Sequence, residues 1–92
     1  MTTTENLHQR ITDACEPAHL DIDDESSLHA GHVGDRAHGG GHYTVTIVAE
    51  KFDGLSLVSR HRMVYDAVGE LMKHEVHALS MKTYTPAEWA AR

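Results

Sequence analysis

The sequence predicts a mixed α+β domain with a three-stranded mixed sheet and the element order α-β-β-α-β-α. Residues 43–49 form a run rich in β-branched side chains, a pattern typical of a strand, in which Tyr43, Val45, Ile47 and Ala49 alternate with Thr44, Thr46 and Val48. Residues 57–73 carry an apolar stripe at helical spacing. Residues 76–84 predict a third strand, and a helix between two strands favours their parallel pairing. We therefore expect the helices to lie mainly on one side of the sheet.

The N-terminal part is predicted to hold a helix and a strand. Residues 1–4 are expected to be a disordered tail, with Thr4 capping a helix that opens at Glu5. Pro17 predicts that this helix stops just before it. The residues that share one face of the helix are Leu7, Ile11, Ala14 and Cys15. His19–Asp24 alternates apolar and polar side chains, which predicts a half-buried strand antiparallel to the next one.

Residues 52–65 are predicted to be a turn running into the central helix. Gly54 supplies the turn and Ser56 a side-chain cap. The stripe expected to face inward comprises Val58, His61, Val64 or Tyr65, Val68, and Leu71 or Met72. The side chains expected to face solvent or a partner are Arg60, Arg62 and Lys73. A capping box over residues 85–88 starts a short last helix, whose Trp89 is expected to pack back on the domain.

Composition limits the classes of protein to which the chain can belong. Its 92 residues suffice for one core and one domain. No apolar run approaches the ~20 residues that span a bilayer, and the polar N-terminus lacks a secretory signal, so we expect a cytosolic protein. The single cysteine, Cys15, excludes an internal disulfide and is expected to be a small buried side chain. The formal charge of −6 argues against strong nonspecific binding to nucleic acid.

Histidines concentrate around a long loop over residues 25–41, which holds five of the seven glycines. The histidines of interest are His29, His32, His38 and His42 on or beside the loop, and His77 near the start of the third strand. Imidazole is a good ligand for zinc, iron, copper and nickel, but the spacing in the loop matches no defined zinc module. Two interpretations stay open from the residues alone: solvated or hydrogen-bonded side chains, or a metal site.

The central stretch FDGLSLVSRHRMVY, residues 52–65, fits the pattern F-x-G-x-x-x-V-x-R-H-R-x-V-Y, the signature of the BolA-like family. Further matching blocks, in the family's order, are Asp24-Glu25-Ser26, His42-Tyr43, Val76-His77-Ala78-Leu79-Ser80 and Thr85-Pro86-Ala87-Glu88-Trp89. The chain thus resembles BolA-like proteins from about Leu20 to Trp89. The resemblance implies a class II KH-like fold, in which helices pack on a three-stranded sheet.

The same resemblance implies a partner and a cofactor. BolA-like proteins associate with monothiol glutaredoxins, and the pair shares a [2Fe–2S] cluster with glutathione in cluster assembly, trafficking or iron signalling. The implied ligands here are His77 and, at a place where one subgroup has histidine and another cysteine, His29. His32 and His42 are alternative loop ligands. Two imidazoles cannot complete two tetrahedral irons, so the thiolates are expected from the partner.

DNA binding is the alternative function, because some BolA-like proteins act as transcription regulators. Arg60 and Arg62 would be the candidate phosphate contacts, although surface hydrogen bonds or ion pairs are the more ordinary interpretation of both. Residues 31–34 fit the G-x-x-G pattern of KH domains, but they lie in a strand-to-strand loop rather than between two helices. No nucleophile–base pair or phosphate loop is recognisable, so we expect neither an enzyme nor a small-molecule substrate.

Overall fold

The computed structural model describes residues 2–25 and 41–92. The helices are α1 (Thr3–Cys15), α2 (Leu57–Val68) and α3 (Pro86–Ala91), and the strands are β1 (His19–Asp24), β2 (Gly41–Val48) and β3 (Val76–Tyr84). Short 3₁₀ turns span Glu50–Phe52 and Gly69–Lys73. These elements confirm the mixed α+β class and the predicted order. Within the two described ranges, no helix has the length and apolar character needed to cross a membrane.

The three strands form one mixed sheet in the order β1-β2-β3. β1 and β2 are antiparallel, with Leu20 opposite Ile47. β2 and β3 are parallel, with Ile47 opposite Thr83, and the chain between them crosses through α2. Both pairings confirm the prediction, since a parallel pair needs a long crossover. Most of the predicted glycine-rich loop, residues 26–40, lies outside the described residues, whereas Gly41 is the first residue of β2.

The core lies between one face of the sheet and the first two helices. On β2, Tyr43, Val45 and Ile47 are buried, and the threonines between them are more exposed. The same cluster includes Leu7, Ile11 and Cys15 from α1, Val64 and Val68 from α2, and Phe52. Each large side chain removed from water in this way contributes roughly 1.5–3 kcal/mol. The alternation on β2 therefore fixes which face of the sheet the helices cover.

α1 begins two residues earlier than the sequence analysis predicted. The hydroxyl of Thr2 accepts from the backbone N–H of Glu5 at 3.1 Å, and the Glu5 carboxylate accepts from the backbone N–H of Thr2 at 3.0 Å. Thr3 is then the first helical residue, so the predicted cap at Thr4 was wrong, and Thr3 and Thr4 belong to the helix rather than to the predicted tail. A cap at Thr4 would place Leu7 at the position that the Glu5 carboxylate fills, and Leu7 is fully buried in the core.

The inward face of α2 is rotated relative to the prediction. Arg60, Val64 and Val68 are buried at four-residue spacing. Val58, expected inside, is 65% exposed, and Arg60, expected outside, is 7% exposed, so both assignments were wrong. The α-helix ends at Val68, where Gly69 adopts a φ of 51°, and only a 3₁₀ turn continues to the predicted end. The predicted cap at Ser56 is confirmed.

The hydrogen bonds of Arg60 explain this rotation. Its Nε donates to the carbonyl oxygen of Leu55 at 3.0 Å, and its Nη1 donates to the carbonyl oxygen of Thr83 at 3.3 Å. Nη1 and Nη2 also donate to the two carboxylate oxygens of Glu88, at 2.6 and 3.1 Å. One buried side chain thereby joins the turn before α2, the end of β3 and the last helix.

α3 is held by its cap and by an aromatic stack. Thr85 and Glu88 form the predicted capping box, with Thr85 Oγ1 accepting from the backbone N–H of Glu88 at 3.1 Å. The ring of Trp89 stacks on His19 of β1 with centroids 5.1 Å apart. The guanidinium carbon of Arg92 lies 3.5 Å from the centroid of the Trp89 ring. The expectation that Trp89 packs back on the domain is confirmed.

We expect Arg60→Met to lower the free energy of unfolding by roughly 1–3 kcal/mol, because it leaves the carbonyl groups of Leu55 and Thr83 without their donor. Urea unfolding followed by the fluorescence of Trp89, the single tryptophan, measures the change. Arg62→Met is the matched control, since Arg62 is exposed on the same helix, and its effect should stay within about 0.5 kcal/mol. Equal losses in the two variants would contradict the role assigned to Arg60.

The Arg60–Glu88 pair should also make stability depend on pH. Hydrogen bonds from the Arg60 guanidinium and the Thr85 backbone lower the pKa of Glu88 from 4.5 to about 2. Because the folded-state pKa is the lower one, the pair stabilises the fold above about pH 4.5 and loses this effect as the pH falls towards 2. The difference in unfolding free energy between the wild type and Glu88→Gln should shrink over that interval. A difference that is constant from about pH 5 to about pH 2 would refute this linkage.

Candidate metal centre

The candidate site lies where β2 and β3 begin, at an irregularity in their pairing. Gly41 pairs with Val76, but the next residue, His42, pairs with Ala78. His77 therefore has no partner across the ladder, which is the pattern of a β-bulge. An extra residue of this kind changes the direction in which neighbouring side chains point.

The bulge determines which side chains of β3 face outward. Val76 is 1% exposed and Leu79 is 8% exposed, although strict alternation would place them on opposite faces. His77 between them is exposed. Its ring lies beside that of His42, with the centroids 5.2 Å apart and the planes tilted by 33°. The extra residue thus buries a valine and brings together two imidazoles from neighbouring strands.

Main-chain hydrogen bonds hold the backbone at His42 and at the preceding Gly41. The backbone N–H of Glu25 donates to the carbonyl oxygen of His42 at 2.8 Å, and that of Gly41 donates to the carbonyl oxygen of Glu75 at 3.0 Å. The Glu25 carboxylate in turn accepts from Thr44 Oγ1 at 2.8 Å. The imidazole of His42 therefore projects from a backbone that is tied to both neighbouring segments.

Two imidazoles at this separation can share one metal ion. With metal–nitrogen distances of about 2.0–2.1 Å, two imidazoles on a tetrahedral ion have ring centroids roughly 5 Å apart. They would fill half of its positions. Residues 2–25 and 41–92 contain no group of three or more His, Cys, Asp or Glu that could hold an ion. Within these ranges the pair could therefore supply half of a tetrahedral coordination shell, and other donors would complete it.

Cys15 does not provide a thiolate for this pair. The residue is fully buried in α1. Burial raises the pKa of its thiol, and the thiolate is the form that binds metal. The prediction that Cys15 is a small buried side chain is confirmed.

The structure brings together two of the four histidines predicted as ligands, His42 and His77. His29 and His32 lie outside the described residues, so their role stays a prediction. Sequence reasoning treated His42 only as an alternative to His29. His42 is favoured by its position at the start of β2, because β2 pairs with β3, the strand that carries His77.

The two arginines predicted as phosphate contacts are placed differently from each other. Arg60 is buried and its guanidinium is bonded to Glu88 and to main-chain carbonyl groups. Arg62 is exposed. Of the two candidates, only Arg62 is therefore available to a partner at the surface. The predicted placement of Arg60 towards solvent was wrong, because the side chain is buried, whereas the predicted ion pair is present and joins Arg60 to the half-exposed carboxylate of Glu88.

The fold and this site define a small three-stranded α+β domain that presents paired imidazoles at one end of its sheet. Residues 11–88 match the family described as BolA-like protein. The chain belongs to this BolA-like family. Membership confirms the resemblance carried by residues 52–65 and by the shorter blocks around them.

Individual relatives differ in length and in the names that they carry. The DNA-binding transcriptional regulator BolA of Escherichia coli (strain K12) is 34% identical over 89 residues, which cover 97% of this chain and 81% of the relative. SufE-like protein 1, chloroplastic/mitochondrial, of Arabidopsis thaliana is 37% identical over 86 residues, 89% of this chain but only 23% of that longer protein. The structure of BolA1 from Arabidopsis thaliana aligns with a TM-score of 0.83 and 35% identity over 96% of both chains.

We expect Cys15 to resist a disulfide reagent such as dithiobis-nitrobenzoate in the folded protein. The thiol is buried and its pKa is raised, so reaction requires opening of the structure. The rate should be at least about tenfold below that of free cysteine and should rise with urea in parallel with the unfolded fraction. A rate in native buffer equal to that of free cysteine would show that the thiol is accessible.

Proposed function

We propose that this chain binds a monothiol glutaredoxin and shares a [2Fe–2S] cluster with it and with glutathione, in cluster assembly, trafficking or iron signalling. The observation that supports this most directly is the imidazole pair of His42 and His77, 5.2 Å apart. In Rieske-type centres, two histidines replace two cysteines on one iron and raise the reduction potential. The donor set of the chain fits that arrangement.

The donors of the chain also explain why a partner is required. The other iron of such a centre takes thiolates, and Cys15 is fully buried in the core. A glutaredoxin cysteine and the thiol of glutathione would provide the two missing donors. The cluster is thus a shared cargo of the pair. The proposal needs no catalytic residue, and its cytosolic setting stays a prediction.

His77 is common to every version of this ligand set. For the second ligand, the resemblance implies His29, with His32 and His42 as alternatives. The geometry supports His42, because its ring lies beside that of His77 and its backbone is held in the sheet. We therefore take His42 and His77 as the first pair to test, with His29 beside them.

Mixing the chain with a monothiol glutaredoxin, iron, sulfide and glutathione should give a coloured heterodimer. Its visible absorption and circular dichroism should differ from those of the glutaredoxin homodimer, because imidazoles replace thiolates on one iron. His77→Ala should abolish the difference and His42→Ala should weaken it. His74→Ala is the matched control, since His74 is exposed just before the site and should leave the spectrum unchanged.

Two results would change this assignment. A heterodimer spectrum that survives His77→Ala would remove His77 from the ligand set. A greater loss of cluster in His29→Ala than in His42→Ala would move the second ligand into the glycine-rich loop.

DNA binding in transcriptional regulation is the second candidate, favoured by the name of the Escherichia coli relative, a DNA-binding transcriptional regulator. The formal charge of −6 weakens this candidate, because binding to the phosphate backbone needs a basic footprint. The hydrogen bonds of Arg60 inside the fold weaken it further. Arg62 is the exposed arginine of this stretch and hence the candidate contact.

A mobility shift with random duplex DNA at increasing salt tests this second function. If Arg62 contacts a phosphate, Arg62→Ala should weaken binding and reduce the salt slope by about 1. Lys73→Ala is a control, because Lys73 is exposed beyond the end of α2. The absence of any shift at low salt would exclude DNA as a direct ligand of the isolated chain.

A further inference from the structure

The ring pair at the bulge also has the geometry of a chelate for a single ion. The centroids of His42 and His77 lie 5.2 Å apart, close to the roughly 5 Å expected for two imidazoles on one tetrahedral ion. Both residues lie on paired strands, where the backbone is already ordered. Binding an ion therefore orders little more than the two side chains.

The donors determine which ions fit this chelate. Imidazole nitrogen suits Zn²⁺, Cu²⁺ and Ni²⁺, whereas Mg²⁺ and Ca²⁺ prefer carboxylate and carbonyl oxygens. The carboxylate of Glu25, whose backbone N–H donates to His42, accepts a hydrogen bond from Thr44. The two imidazole nitrogens thus favour the zinc, copper and nickel group. His77 is exposed, so an ion can reach the pair from solvent.

We propose that His42 and His77 chelate one divalent ion of the zinc, copper and nickel group when the chain has no partner, and that this ion excludes the cluster from the site. The ion and the cluster both need the imidazole of His77, so one must leave before the other binds. The ion keeps the free chain in a form that carries no cluster. The chelate rests on geometry alone, and its competition with the cluster rests on the proposed function.

Calorimetric titration of Zn²⁺ or Ni²⁺ into the chain alone, without a histidine tag, tests the chelate. We expect one ion bound by the pair, an affinity at least about tenfold lower in both His42→Ala and His77→Ala, and no effect of Mg²⁺. His74→Ala should bind as the wild type does. In nitrogen-edited NMR spectra of the wild type, the imidazole signals of both His42 and His77 should shift as the ion is added. This measurement uses no variant, so it does not depend on how the variants fold.

Other outcomes would overturn the chelate. Wild-type affinity in both single variants, or a loss in only one of them, would show that the two rings do not share an ion. Shifts confined to other histidines would place the ion elsewhere. Because this titration contains neither glutaredoxin nor glutathione, its result is independent of whether a shared cluster forms.

Competition is tested by adding Zn²⁺ before the cluster is assembled with the glutaredoxin. The heterodimer spectrum should decrease as the site fills with zinc, while the glutaredoxin homodimer at the same zinc concentration serves as the control for effects on the partner. If the cluster formed fully while zinc stayed bound to His77, the proposal that the ion excludes the cluster would be wrong. Failure to form any heterodimer cluster without zinc would instead refute the proposed function and leave the chelate standing.

Discussion

A buried cation must find acceptors within the fold, and Arg60 satisfies this requirement by joining segments that are distant in sequence. Its guanidinium ties the carbonyl groups of Leu55 and Thr83 to the carboxylate of Glu88. α2 must therefore turn the Arg60 side towards β3, which leaves Val58 in solvent. Because α2 lies in the crossover between β2 and β3, the same side chain ties this crossover to the end of β3.

Signals within a few residues predicted most of the fold. The alternation in β1, the apolar pattern of β3 and the capping box at the start of α3 each depend on neighbouring residues. The face of α2 could not be predicted in this way, because helical spacing fits both a stripe through Val58 and one through Arg60 and Val64. The hydrogen-bond acceptors that select the stripe through Arg60 and Val64 lie on β3 and α3. The sequence of α2 alone does not identify these acceptors.

The candidate site was predictable only in part, for a similar reason. The residue types followed from the sequence, and the partner of a two-imidazole domain stays a prediction from the resemblance to a family. The contact between His42 and His77 depends on a bulge that arises when Val76 enters the core while the strands stay paired. No local sequence pattern marks a position where burial of one side chain, with the strands still paired, requires an extra residue. The histidines of residues 26–40 stay predictions for the second ligand.

The bulge and the Arg60 anchor lie at opposite ends of β3. His77 and Thr83 are six positions apart on the strand, which corresponds to about 20 Å. The end of the sheet with the imidazoles can therefore change without touching the contacts that hold α2 and α3. Loss of one codon between Val76 and Ala78 would restore a regular ladder and remove the unpaired histidine. A single in-frame deletion could therefore remove the candidate site and leave the rest of the fold in place.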